Sequence, residues 1–266
     1  MQINAPGDPN AVVAALKSAA AATGSDFSYL LGTAMRESSL KPNAQSNTSS
    51  AGGLFQFVDQ TWLGLVKTHG AKYGLGSLAQ VISVAPDGRY HADNDADRGM
   101  ILSLKKDPRI SALMAGEYAR SAQGAMEADL GRQVCNGELY AAHFLGADGA
   151  CKLIRASQAS PAASAAQLFP AAANANHDVF FRADGSAKSV REVYDWTMRQ
   201  PGGGERPAAA TATGATAVAA KAVDSNIETL LASVINWQPG SFFQGDKASP
   251  SLGSGLLALL SGSRDG

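Results

Sequence analysis

Hydrophobic residues recur every three or four positions through most of residues 9–200, which is the spacing of amphipathic helices. The segment AVVAALKSAAAATG ends at Gly24, and FSYLLGTAMRE follows Asp26, a residue type that caps helix N-termini. A third helix is predicted to begin at Asp59 or its neighbour. No segment shows the period-two alternation of a half-buried strand. The pattern therefore predicts an all-α domain.

Proline and glycine divide the later helical segments. A helical pattern runs over residues 97–130 and is interrupted at Asp107-Pro108, which predicts two helices that meet there. The segments ELYAAHFLG and GACKLIRAS predict a further pair hinged at residues 146–149, and SVREVYDWTMRQ predicts a last helix. Residues 70–95 are rich in glycine and polar groups, so we expect a long loop there with one helical turn.

The composition changes at Pro201, which sets the predicted domain boundaries. Residues 1–200 form the predicted folded domain, and residues 201–224, rich in Gly and Ala, are expected to form a flexible linker. Residues 225–266 are expected to form a mostly disordered tail in which SNIETLLASVINW could make one short helix. The alternative for this tail is a docking segment for a partner.

The charge balance excludes some classes of partner. With 22 basic and 23 acidic residues the net charge is -1, and no basic stretch suggests nucleic acid or an anionic membrane. No apolar run approaches the roughly 20 residues that span a bilayer. The first ten residues show neither a basic n-region nor an apolar h-region, so export would need a leader already removed or another route.

The cysteines and histidines predict no metal site and no cofactor. Cys135 and Cys151 could form a disulfide in an oxidising compartment or remain as two thiols. The chain has no CxxC motif and no histidine at ligand spacing. The acidic cluster at residues 91–97 lacks the spacing of an EF-hand loop, so we interpret it as a solvated loop.

One carboxylate stands out at the end of the second predicted helix. Glu37 follows the apolar residues Leu30, Leu31, Ala34 and Met35, which could shield it from water. The segment after it is rich in Ser, Asn, Gln and Gly and contains no carboxylate before residue 59. Such surroundings favour the protonated acid, which is the form that can donate a proton to the leaving oxygen of a glycosidic bond.

The residues around Glu37 carry a family resemblance. Glu37-Ser38, Pro42, Ala44 and Ser46, followed by the G-L-F-Q segment at 53–56 and Thr61-Trp62, resemble the signature of soluble lytic transglycosylases and goose-type lysozymes. A third block, AHFLG at 142–146 with Gly149-Ala150, resembles the A-Y-N-A-G-x-G-A segment of that family. The resemblance covers about residues 24–200 and is strongest over 34–62. It implies a lysozyme-like catalytic domain.

The resemblance also implies roles for single residues. Glu37 corresponds to the sole catalytic acid/base of the family, Gln56 to a glutamine that lines the cleft, and Phe55 stands where the family usually has a methionine. His143 replaces a tyrosine that hydrogen-bonds near the glutamate, and Tyr140, one helical turn earlier, could supply that hydroxyl. His143 is either part of the site or a structural histidine. The expected substrate-binding residues are Ser38, Ser46, Phe55, Gln56, Tyr140, His143 and Phe144.

The resemblance implies a peptidoglycan lytic transglycosylase that cleaves the MurNAc–GlcNAc β-1,4 bond and leaves 1,6-anhydroMurNAc ends. Goose-type lysozymes hydrolyse the same bond, so a muramidase is the first alternative. The second is a peptidoglycan-binding assembly module that the tail recruits to a secretion system or flagellum. In each case the expected partner is the glycan strand, and the expected location is periplasmic or secreted.

Overall fold

The computed structural model of this protein describes residues 9–47 and 49–200. The linker predicted at 201–224 and the tail predicted at 225–266 lie outside the described residues. Within the described part the chain is mostly helical, and the predicted all-α, lysozyme-like fold is confirmed. None of the helices in this part is long and apolar enough to cross a bilayer.

The helices follow one another with short connections. The described α-helices are α1 (Pro9–Thr23), α2 (Phe27–Ser38), α3 (Asp59–His69), α4 (Gly76–Gln80), α5 (Asp95–Ser103), α6 (Pro108–Leu130), α7 (Asn136–Ala159), α8 (Ala165–Leu168), α9 (Pro170–Ala175), α10 (His177–Phe180) and α11 (Val190–Met198). Short 3-10 turns lie at Gly70–Tyr73 and Leu104–Lys106, and the strands are β1 (Ile82–Val84) and β2 (Tyr90–Ala92).

Local sequence signals explain where the main helices begin. The Asp26 carboxylate accepts a hydrogen bond from the backbone N–H of Tyr29 and caps α2. The Asp107 carboxylate caps α6 in the same way, and Pro108 stands at the first helical position, where its missing N–H costs nothing. The predicted hinge in α7 is also confirmed, because Gly146 adopts a left-handed φ of 77° inside that helix.

The prediction that the domain contains no strand was wrong for residues 82–92. β1 and β2 pair antiparallel with Ser83 opposite His91. Each strand has three residues, which is too short for an alternating pattern to be recognised. The hairpin is anchored by Gln60, whose side chain donates to the Tyr90 carbonyl and accepts from the Tyr90 N–H, and the Tyr90 ring packs against Gly64.

The core lies around α6, the second-longest of the described helices. α6 packs against α1 on one side and α7 on another, while α11 covers a second face of α7. Buried residues on α6 include Met114, Ala115 and Tyr118, which contribute to one continuous hydrophobic cluster. This packing brings the C-terminal end of α2 close to the first half of α7.

The structure decides between the two alternatives for the cysteines. Cys135 and Cys151 are both buried and free, and both lie at or within α7. They are separated by sixteen positions along this helix, which corresponds to roughly 24 Å. A disulfide requires Cα atoms within about 7 Å. The spacing along α7 therefore excludes a bond between them.

Candidate functional site

Glu37 lies in the last turn of α2, where the chain reverses direction. Ser39 and Leu40 follow it with left-handed φ values of 52° and 61°, which non-glycine residues seldom adopt. The Ser38 hydroxyl lies 2.9 Å from the carbonyl oxygens of both Ala34 and Leu54. Ser38, predicted to bind substrate, therefore uses its hydroxyl to tie the end of α2 to the following loop.

The carboxyl group of Glu37 is buried without a hydrogen-bond partner. Its side chain is 1% exposed, and neither carboxyl oxygen has a hydrogen-bond partner among the described residues. Nε2 of His143 lies 3.4 Å from Oε1 of Glu37. Because the great majority of buried polar atoms in proteins are paired, an unpaired carboxyl group calls for a functional explanation.

Other unpaired polar atoms accompany this carboxyl group. The Tyr140 hydroxyl and Nε2 of His143 are buried and have no hydrogen-bond partner in the described part of the chain. The same holds there for Oγ1 of Thr33, one helical turn before Glu37 on α2. The rings of Tyr140 and His143 stack with centroids 5.6 Å apart. The structure thus joins Glu37 to two of the predicted site residues on α7.

The phenols beside the carboxyl group are held in the neutral form. Burial raises the pKa of Tyr140 above its usual value, and the negative charge of Glu37 raises this pKa further. Burial also raises the pKa of Tyr118 to about 12. Both hydroxyl groups therefore remain protonated at neutral pH and can donate hydrogen bonds.

An aromatic wall, made of Tyr140, Phe144, Phe180 and Trp196, lies next to the carboxyl group. Trp196 of α11 meets the Tyr140 ring edge-on at 5.8 Å and the Phe144 ring at 5.5 Å, and Phe144 stacks on Phe180 at 5.8 Å. The guanidinium group of Arg36 lies 5.5 Å from the Trp196 ring. The predicted site residue Phe144 therefore contacts other aromatic rings within the protein.

The structure places the predicted residues of the loop in three different settings. Phe55 is 1% exposed and packs against Phe57, so its ring faces the core and not an open cleft. Gln56 is buried with a left-handed φ of 48°, and its Nε2 donates to the Gly53 carbonyl at 2.9 Å. Ser46 is half-buried at the loop edge, where its N–H donates to the Ala51 carbonyl.

A buried lysine holds this loop from the other side. Lys105 donates to the carbonyl oxygens of Ser50 and Phe57 and to Oδ1 of Asp59. Gly53 lies against the backbone of Lys105, and a Cβ atom at residue 53 would stand only 2.0 Å from the Lys105 carbonyl oxygen. The φ of Gly53 is 81°. Gly53 is therefore required for the close contact between these two backbone segments.

The start of α3 lies where the sequence predicted it. The N-cap of α3 is Val58, which makes no side-chain capping bond, and Asp59 is the first helical residue. The Asp59 carboxylate pairs with Lys105 at 2.8 Å and with Arg98 at 2.5 Å. Both partners come from distant positions in the chain, so the sequence pattern around residue 59 could not reveal them.

A cavity of about 200 Å³ lies between α3, β2, α6 and α7. Its lining includes His69, Tyr90, Tyr118 and Ala147, but not Glu37. Tyr118 connects the two places, because its ring also meets the His143 ring edge-on at 6.5 Å. Sequence reasoning missed Tyr118 as well as Trp196 as a neighbour of the site. Both have the spacing of ordinary core residues, so no local signal distinguishes them.

The described residues offer no group of three or more His, Cys, Asp and Glu side chains that could hold a metal ion. The polar groups that the structure brings together here are the carboxyl group of Glu37, the hydroxyl group of Tyr140 and the imidazole of His143.

A comparison with known protein families finds a match in the part of the chain that contains Glu37. Residues 14–77 match the family model described as the transglycosylase SLT domain. The match includes α2 with Glu37 and the loop up to α3, whereas the block at 142–150 lies beyond it. This match confirms the resemblance inferred from residues 34–62, and residues 14–77 of the chain are thus similar to the transglycosylase SLT domain.

Proposed function

We propose that this protein is a peptidoglycan lytic transglycosylase in which Glu37 is the only catalytic acid/base. The observation that carries this proposal is the buried carboxyl group at the end of α2, which has no hydrogen-bond partner among the described residues. Glycosidic cleavage begins with proton donation to the leaving oxygen, and a positioned carboxyl group is a suitable donor. The family match supplies the substrate class, peptidoglycan.

The neighbouring acids support the assignment of one carboxylate. Asp26 caps the other end of α2, eleven positions or roughly 16 Å from Glu37 along the helix. Asp59 is engaged by Lys105 and Arg98. The two-carboxylate glycosidases need a second acid at about 5–10 Å that is free to act as nucleophile or base. Neither aspartate is suited to that role.

The proposed reaction uses the same carboxyl group twice. The Glu37 O–H gives its proton to the bridging oxygen as the bond from C1 of MurNAc to that oxygen breaks. The substrate's own acetamido group stabilises the positive charge that develops at C1, as the family resemblance implies. The Glu37 carboxylate then accepts the proton of the C6 hydroxyl while O6 bonds to C1. Glu37 ends protonated, and no water is consumed.

Access to the carboxyl group requires movement. General acid catalysis needs the bridging oxygen within about 3 Å of the acid, but the Glu37 side chain is 1% exposed. A glycan strand therefore reaches Glu37 only after neighbouring side chains move. The same observation favours a second candidate function, a module that binds peptidoglycan without cleaving it. In that case a partner at the envelope would recruit the protein through residues 225–266.

The test is mass spectrometry of the soluble products from purified peptidoglycan, with wild type and Glu37→Gln compared. Asp178→Asn provides the matched control, since it makes the same carboxylate-to-amide change on a side chain that is 85% exposed. Products ending in 1,6-anhydroMurNAc from the wild type and the control, but not from Glu37→Gln, would support the proposal.

Two other outcomes would overturn it. Reducing-end products, about 20 mass units heavier after borohydride reduction, would identify a muramidase that admits water to the same site. Equal binding of wild type and Glu37→Gln to peptidoglycan with no product from either would favour the binding module. Because the reaction acts on the cell wall, we propose a periplasmic or secreted location, to be checked by fractionation.

A further inference from the structure

We propose that His143 is a positioning residue that forms a proton-sharing pair with Glu37 and thereby sets the pH range in which the carboxyl group is active. The catalytic consequence rests on the proposed function, whereas the pairing itself can be tested without substrate. The family resemblance puts a tyrosine at this position, so an imidazole here gives this chain a titratable partner in place of a phenol.

The geometry of the two side chains supports a pair. Nε2 of His143 lies 3.4 Å from Oε1 of Glu37, and the two side chains are 4% and 1% exposed. This is longer than a good hydrogen bond, but catalytic hydrogen bonds are often long in the free enzyme and shorten in complexes. Neither atom makes a hydrogen bond within the described residues, and the Tyr140 hydroxyl group also lies beside Glu37.

The packing holds the imidazole in place. Its ring stacks on Tyr140 from the same helix, with an interplanar angle of 18°, and meets Tyr118 of α6 edge-on at 85°. Trp196 supports Tyr140 from the opposite helix α11. The ring therefore has little freedom to turn Nε2 away from Glu37.

Glu37 is the carboxyl group that faces His143. The titratable groups facing the ring are Glu37 from α2, Tyr118 from α6 and Tyr140 from α7. Burial raises the pKa of both tyrosines, so both stay neutral. Further away on α2, burial likewise raises the pKa of Tyr29. Arg36, which acts electrostatically on Tyr140, keeps its positive charge throughout.

A shared proton would serve both steps of the reaction. When the shared proton lies on Oε2 of Glu37, the neutral ring of His143 still carries its own hydrogen on Nε2. The ring can donate this hydrogen to Oε1, while Oε2 carries the acid proton toward the substrate. When Glu37 has lost its proton to the leaving sugar, the same N–H stabilises the carboxylate until it takes the C6 hydroxyl proton. The pair begins and ends each turnover with the same number of protons.

The first experiment follows the histidine ring protons by NMR as a function of pH. The chain has four histidines, and the signal that disappears in His143→Gln assigns this one. Removing a neighbouring carboxylate destabilises an imidazolium ion. We therefore expect the midpoint of the His143 titration curve to fall by at least about half a pH unit in Glu37→Gln. A smaller change, or a ring that does not titrate between about pH 4 and 9 in either protein, would overturn the pairing.

The second experiment measures peptidoglycan cleavage against pH. In His143→Gln the amide can still donate to Glu37 but holds no extra proton. We therefore expect a maximal rate within about threefold of wild type and an alkaline limb moved to lower pH by about half a unit or more. His143→Phe keeps a ring but no donor, so kcat should fall about tenfold or more with little change in KM.

His177→Gln is the matched control, because its side chain is 66% exposed and far from α2 in the chain. It should leave the pH profile unchanged. An unchanged profile in His143→Gln as well, or a normal kcat in His143→Phe, would overturn the positioning role. An inactive wild type would instead refute the proposed function, and the NMR titration would still decide whether the pair exists.

Discussion

Two glutamates of this domain are equally buried but have opposite surroundings. The side chain of Glu117 on α6 is 0% exposed and that of Glu37 on α2 is 1% exposed. Glu117 accepts hydrogen bonds from Lys72 at 2.6 Å, from the Tyr73 hydroxyl at 2.5 Å and from Arg120 at 3.0 Å. Within the described residues, Glu37 accepts none.

The difference shows what each carboxyl group can do. Burial by itself raises the pKa of Glu117, but the hydrogen bonds from Lys72, Tyr73 and Arg120 outweigh burial and bring this pKa to about 2. Glu117 is therefore a permanent anion whose charge is balanced within the protein. Glu37 has no such donors among the described residues. We infer that Glu117 is structural and that Glu37 is functional.

The largest expected effect is the loss of activity in Glu37→Gln. Removing a general acid typically costs about 10²- to 10⁴-fold in rate, and neither Asp26 nor Asp59 is placed to replace Glu37. The free energy of unfolding should stay the same or rise by up to about 1 kcal/mol, because an amide carries no charge to desolvate. Product release and chemical denaturation measure the two quantities.

A loss of stability in Glu37→Gln that matches its loss of activity would contradict this comparison. It would mean that Glu37, like Glu117, is a structural residue.

Glu117→Gln should show the reverse behaviour. The substitution removes the negative charge that faces Lys72, Tyr73 and Arg120 and replaces one acceptor oxygen by an NH2 donor, so we expect the free energy of unfolding to fall by about 2–3 kcal/mol. Activity per folded molecule should be unchanged, since Glu117 does not contact the proposed site. Urea denaturation tests the first expectation, with Asp178→Asn as a control that should lie within about 0.5 kcal/mol of wild type.

The stabilising effect of Glu117 should depend on acid pH. Its pKa falls from an ordinary value of 4.5 to about 2 on folding, so the unfolded chain binds the proton first. The stability difference between wild type and Glu117→Gln should be complete above about pH 4.5 and disappear as the pH falls toward 2. Denaturation curves of both proteins across this range measure it. A difference that is constant with pH would contradict the pairing.

The smallest effect is expected for Lys72→Met. The Lys72 side chain is 53% exposed, and Arg120 and Tyr73 continue to satisfy Glu117 when it is removed. An ion pair made by a lysine this exposed contributes little to stability, because solvent screens it. Thermal or urea denaturation of the variant would measure the change. A loss as large as that in Glu117→Gln would show that Lys72 alone compensates the buried charge.

Local signals in the sequence were sufficient for most of the fold. Asp26 and Asp107 predicted helix starts because a carboxylate caps the N–H groups within three residues of it. Pro108 and Gly146 predicted a helix boundary and a kink through their own backbone preferences. The hairpin at 82–92 was missed because strands of three residues carry almost no pattern.

The sequence by itself determined that Glu37 ends a helix and stands before a polar loop without another carboxylate. Only the tertiary structure decided that His143 approaches Glu37, that Phe55 faces the core, and that Glu117 meets Lys72. The physical reason is the range of the interactions. Caps and periodicity act over three or four residues, whereas these contacts form only when distant helices pack together, and that packing left one buried glutamate compensated and the other not.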